Sequence, residues 1–299
     1  MLETRAVDVE GSVADILRGV AREIVAEARV AMSDAARSDA VAVHDYRKAM
    51  KRWRALLRLL EPYLGEDARA LRVEARDLAR LMAGARDSQS ALDALEDLAD
   101  AKLALTPRSM ETMRERLDAI RRRAEARTLT ATLRARVMVA LDASAAAVEQ
   151  WHLSELGFSD VATRVAETYR QVRRAAPRDW RKADAEWLHD LRRRIVVHRY
   201  QMELVEPLWP KLGKLWTGEV QRVRDRLGKH HDLAMLEGLT GPHQPLAPWR
   251  SRLSPLIAQR QEQLAKSAGR LAGRLLAEKP RAFRKRLEAL WEHRAGDDD

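Results

Sequence analysis

Two stretches of this chain lie in one register. VHDYRKAMKRWRALLRLLEPYL (43–64) and LHDLRRRIVVHRYQMELVEPLW (188–209) each open on His-Asp after one apolar residue, place an arginine three residues beyond the histidine, and reach Glu-Pro near their ends. At a constant offset of 145 positions, His44 aligns with His189, Asp45 with Asp190, Arg47 with Arg192, Arg54 with Arg199, Leu59 with Leu204, and Glu61-Pro62 with Glu206-Pro207. Glu74/Glu219 and Asp87/Asp232 keep the register without a gap. Ala-, Arg- and Leu-rich helices often match by chance, but a shared histidine, an aligned proline and an ungapped register over two helices are a repeat signal. The chain therefore reads as two related halves, 1–150 and 151–299, each a helical bundle.

A helical period runs through almost the whole sequence. The spacing predicts helices over 12–36, 42–61, 66–85, 88–104, 107–128, 130–152, 158–176, 181–206, 213–228, 231–240, 246–278 and 281–294. The breaks fall at Glu61-Pro62, Pro107, Pro177, Pro207 to Pro210, and the loop TGPHQPLAP from Thr240 to Pro248. Good helix formers dominate, Gly and Pro number only 13 and 10, and no alternating β-branched runs occur. The expected class is all-α.

At about 100° per residue, His44, Arg47, Lys48, Lys51, Arg54 and Arg58 share an arc of roughly 120°. Tyr46, Ala49, Met50, Trp53, Leu56, Leu57 and Leu60 lie on the opposite side. A solvated helix face usually mixes charge signs, because like charges one turn apart cost a few tenths of a kcal/mol each. This arc carries no acid, so its cations are arranged for a polyanion. His189, Arg192, Arg193 and Arg199 occupy the matching arc in the second half, where Val196 replaces Lys51 and Glu203 stands in place of Arg58. His198 falls on the apolar side and reads as a core residue. Further basic runs include Arg114, Arg116, Arg121, Arg122, Arg123 and Arg127, then Arg170, Arg173, Arg174, Arg178, Arg181 and Lys182.

The formal net charge of +10 suits an anionic partner such as nucleic acid, an acidic surface or polyphosphate. The absence of cysteine excludes disulfides, Cys-bound zinc and a thiol nucleophile. MLETRAVDVEGSVADILRG lacks a basic region followed by an apolar one, and no apolar run approaches the ~18 residues of a membrane span. The expectation is a soluble, cytoplasmic protein.

These residues make the chain resemble the CHAD family, the conserved histidine α-helical domain. The likeness rests on His44 followed by Arg47, Lys48, Lys51, Arg52 and Arg54 before LLRLLEP, and on His189 followed by Arg192 and Arg193 before LVEP. A downstream motif occurs twice, as Gly84-Ala85-Arg86-Asp87 and as Leu227-Gly228-Lys229-His230-His231-Asp232-Leu233. Met82-Ala83 replaces the Leu-Gly pair in the first copy, and Val196-Val197 interrupts the second basic run. The resemblance covers roughly 10–295 and implies two pseudo-twofold-related helical bundles around a basic cleft or pore. It also implies binding of inorganic polyphosphate, for which phosphate or sulfate ions can substitute, and association with polyphosphate granules. The implied contacts are His44, Arg47, Lys48, Lys51, Arg54, Arg58, His189, Arg192, Arg193, Arg199 and His231. Some relatives carry a fused CYTH triphosphatase; its Glu-x-Glu-x-Lys motif and strands are missing here.

No cofactor or metal is expected, and no catalysis. Metal-dependent phosphohydrolysis of phosphoanhydrides is the first alternative, suggested by His-Asp at 44–45, 189–190 and 231–232. Adjacent helical residues diverge by about 100°, and the surrounding cations repel a divalent ion. No Walker-type glycine-rich loop is present. Nonspecific nucleic-acid binding is the second alternative; the arc from Arg47 to Arg58 has no interleaved aromatic on which bases would stack.

Overall fold

The computed structural model describes residues 12–101 and 106–294, except the side chains of 85–87 and 126–127. Among the described residues there are ten α-helices and no strand. They are α1 (Val13–Ser33), α2 (Asp39–Leu81), α3 (Gly84–Asp100), α4 (Pro107–Thr128), α5 (Ala131–Glu149), α6 (Phe158–Ala175), α7 (Ala185–Val205), α8 (Pro210–Gly238), α9 (Arg250–Leu275) and α10 (Pro280–Glu292). Side-chain caps fix several starts: Ser12, Ser38, Thr106, Thr130 and Asp184 each accept a backbone N–H from the first turn of the helix that follows. The caps at Ser38 and Asp184 explain why α2 begins before, and α7 after, the positions read from periodicity.

One predicted break moves and another disappears. Helix α2 runs through Pro62, and the non-helical residue is Gly65, at φ 57° and ψ −128°. Pro62 sits in the last turn of the first arm, where the loss of one N–H is cheap, and the turn itself needs a φ that glycine alone adopts without strain. The residues read as separate helices at 213–228 and 231–240 form the single helix α8, because LGKHHDL keeps its apolar face packed: Leu227 and Leu233 are both buried.

At Gly65 the chain doubles back. Arg72 reaches Glu61 at 2.5 Å, and Arg47 donates to the carbonyl of Ala79. Helices α7 and α8 double back in the same way across a 3₁₀ turn at Glu206–Leu208: Thr217 donates to Glu206 at 2.9 Å, and the rings of His189 and His231 lie 4.2 Å apart. Gly213 permits this second turn, since a Cβ there would lie 2.7 Å from the Glu206 backbone. Gly213→Ala is expected to destabilise the protein by about 1–3 kcal/mol, a loss readable in a denaturant midpoint.

Apolar residues gather in two cores. The larger takes side chains from α1, α2, α5, α6, α7 and α10, with parts of α8 and α9. The smaller lies between α3, α4, the C-terminal part of α8 and the N-terminal part of α9. Helices α8 and α9 run through both. A polar tie joins α2 to α7 inside the larger core: Gln201, fully buried, donates to the Ala55 carbonyl at 3.0 Å and accepts from the Thr168 hydroxyl at 2.8 Å.

His198 is a core residue, as its helical position predicts. It is 1% exposed, beside the stacked rings of Tyr169 and Phe283, with Nδ1 3.3 Å from the Thr168 hydroxyl. Burial pushes its pKa down to about 3. The unfolded chain, with an ordinary histidine pKa of about 6.5, binds this proton more readily than the folded one, so stability falls as pH drops below that value. The expected slope between pH 6.5 and 5 approaches about 1.4 kcal/mol per pH unit, and His198→Leu should remove it. Urea titrations across that range measure both.

Candidate anion-binding site

The apolar back of α2 is buried as a unit: Tyr46, Ala49, Met50, Trp53, Leu56, Leu57 and Leu60 each expose 3% or less. This seals one side of the helix into the larger core and forces its cations to the other. His44, Lys48 and Arg58 are exposed there, and Arg47, Lys51 and Arg54 are half-buried.

A cavity of about 480 Å³ opens at the N-terminal end of this front, where the two cores meet. Helix α2 lines it with His44, Arg47, Lys48 and Lys51. Arg199 and Tyr200 come from α7, Gln221 and Arg224 from α8, and Arg121 and Glu125 from α4. Five of the predicted contacts therefore meet at one cavity: His44, Arg47, Lys48, Lys51 and Arg199. Arg121 belonged to a basic run without an assigned face. Tyr200, Gln221 and Arg224 carry no local signal of a site, because only the packing of α7 and α8 against α2 brings them there.

Arg54, Arg58 and Arg193 lie beyond the cavity, where α2 faces α7. Burial lowers the pKa of Arg54, and the charges of Arg47, Arg193, Arg58 and Arg76 lower it further. Its Nε donates to the Met50 carbonyl at 3.2 Å. Arg54, Arg58 and Arg193 make no ion pair among the described residues, although the charge of Glu61 reaches Arg58. Arg52, one position off this front, does: it bonds Glu27 at 2.5 Å and approaches Glu23 at 3.7 Å. Glu23 and Glu27 thus engage the flank of α2.

The second predicted arc is split. His189 and His231 pack ring against ring away from the cavity lining. Burial holds the His189 pKa below the ordinary value, and Arg192 and Arg193 reinforce this against Asp190. Arg192 passes over Gly228, where a Cβ would stand 3.6 Å from its Nε. Arg199 does reach the cavity, yet its guanidinium bonds Glu203 at 2.7 Å and lies 5.0 Å over the Tyr200 ring. The acid noted in the sequence therefore neutralises part of this copy. The side chains of Arg86, Asp87 and Arg127, and the tail at 297–299, lie outside the described residues.

Among the described residues, no three His, Asp or Glu side chains converge to hold a metal ion. No helix among them is long and apolar enough to cross a membrane. No curated protein matches the chain. The family model of the CHAD domain matches residues 15–241, from the first turn of α1 through α8 and just beyond it. With that match over most of its length, and with both histidine-led helices inside it, the chain belongs to the CHAD family.

Proposed function

We propose that this protein binds inorganic polyphosphate along the cationic front of α2 where it faces α7. One observation carries the reading: Arg54 is half-buried and makes no ion pair among the described residues, and its pKa is lowered by burial first and then by the charges of Arg47, Arg193, Arg58 and Arg76 gathered around it. Such a cluster is destabilising without a ligand and complementary to a chain bearing about one negative charge per phosphate. Guanidinium forks donate paired hydrogen bonds to phosphate oxygens, and release of condensed counterions adds salt-dependent affinity.

The paired hairpins favour an internal duplication with this front at the join. Helices α1 and α6 begin 145 residues apart, as do Gly65 and Pro210 at the two turns. The asymmetry between copies assigns the leading role to the first half, since Glu203 already engages Arg199. Binding is non-catalytic in this reading, and it serves as an address that places the protein on polyphosphate granules.

Titration with polyphosphate from 50 to 200 mM salt tests it. Affinity should fall with a log–log slope of about −0.7 for each phosphate neutralised, taking single-stranded nucleic acid as the analogue. At near-physiological salt, RNA at equal phosphate concentration should fail to displace the chain, because the front offers no stacking surface. Displacement by RNA would make this a general polyanion binder. Release of orthophosphate in the presence of Mg²⁺ or Mn²⁺ would make it a hydrolase.

A further inference from the structure

We propose that the cavity at the head of α2 is a terminus site, which takes the end phosphate of a polyphosphate chain while the interior units lie along Arg47, Arg54, Arg58 and Arg193. This rests on the polyphosphate reading above.

The two regions differ in chemistry. The track of Arg54, Arg58 and Arg193 is lined by cations that make no ion pair among the described residues. Cations of the cavity come from several walls: Arg47, Lys48 and Lys51 on α2, Arg121 on α4, which Asp118 and Glu125 hold, and Arg224 on α8, which bonds Asp225 at 3.0 Å. Such a surround suits a group of higher charge than an interior unit. A terminal phosphate is that group, for by analogy with a phosphate monoester its second ionisation lies near pH 6, giving a charge of about −1.5 to −2 at pH 7.

The cavity also contains acceptors, which a bare cation track does not need. Asp39 and Glu125 both line it, fixed by Arg134 at 2.7 Å and by Arg121 at 2.8 Å. Gln89, on the same lining, donates its amide N–H to Asp93 at 2.7 Å, which leaves its amide oxygen for an incoming donor. An interior phosphate has no hydrogen to donate and is repelled by the carboxylates. Around its second ionisation a terminal phosphate exists in two forms: the dianion answers the cations, and the monoanion, with the charge of an interior unit, donates an O–H to one of these acceptors.

Continuity and direction complete the argument. Arg47 belongs to both regions, lining the cavity and acting on Arg54. A chain leaving the cavity by Arg47 comes into the field shared by Arg54, Arg58 and Arg193. Within the cavity it shares the lining with Asp39 and Glu125. The layout anchors an end.

The test compares long linear polyphosphate with the same material capped at both ends as phosphoramidates, which leaves the interior charges untouched. Capping is expected to weaken binding about tenfold, as the loss of one charge-assisted contact would. Linear tripolyphosphate should compete with the long chain, and cyclic trimetaphosphate, which has no end, should compete far less. Arg224→Ala should shrink the ratio of uncapped to capped affinity, whereas Arg58→Ala should lower both and keep the ratio. Equal binding of capped and uncapped chains overturns the terminus site and leaves the polyphosphate reading standing. Failure of both chains to bind overturns the two together.

Discussion

The double variant Arg54→Met, Arg193→Gln is expected to bind polyphosphate about a hundredfold more weakly than the parent and to unfold no more readily. Both cations lack a carboxylate partner among the described residues, and each adds to the field that depresses the Arg54 pKa or is subject to it. Two well-formed charge-assisted contacts at ~1.5 kcal/mol each amount to ~3 kcal/mol, or about two orders of magnitude in affinity. Methionine keeps the buried stem of Arg54 in contact, so little packing is lost. Removing like charges relieves a few tenths of a kcal/mol in the free protein, which roughly offsets the lost bond to the Met50 carbonyl. Calorimetric titration and thermal melting, run together, check the two halves of this expectation. A variant that loses stability while binding unchanged would show that the cluster is structural and the binding surface lies elsewhere.

Asp97→Ala should produce the largest loss of stability, about 2–3 kcal/mol. The Asp97 carboxylate on α3 is 5% exposed and holds Lys229 of α8 at 2.6 Å and Arg260 of α9 at 2.7 and 3.0 Å. Burial works to raise its pKa, but the bonds from Arg260 and Lys229 outweigh this and hold it below the usual carboxylate value. A depressed folded-state pKa stabilises above the unfolded value of about 3.9 and is lost as pH falls through the folded one. The penalty in the variant comes from stranding two cations beside the smaller core; both reach water in part, which keeps it below that of a fully buried pair. Hydrogen exchange should rise in α3 and α4 before it rises in α1 and α5. Changing all three residues to methionine should recover most of the loss, since the polar triad is then removed whole. If Asp97→Ala melts with the parent, the triad contributes nothing net.

Much of the local architecture was legible in the sequence. Tyr46, Trp53 and Leu60 declared the buried side of α2 through their spacing alone, and His198 declared its own burial in the same way. The starts of α2 and α7 were misread from periodicity, because the caps at Ser38 and Asp184 set them and the apolar spacing does not. The turn was misplaced at Pro62 because a proline in a last turn breaks nothing; the residue that bends the chain is the glycine three positions on. Glu203 was visible as an odd acid, and its pairing with Arg199 follows from i,i+4 spacing.

The sequence by itself determined that the chain is helical and that α2 has an apolar back and a cationic front, because both follow from a period of 3.6 residues acting on one helix. Only the tertiary structure decided that Arg121, Arg199 and Arg224 would face that front across a cavity, and that Asp97 would fasten three helices together. A helical period fixes which side of a helix is buried; it does not fix what packs opposite, which depends on the bends at Gly65 and at Glu206–Leu208 and on how two cores share α8 and α9.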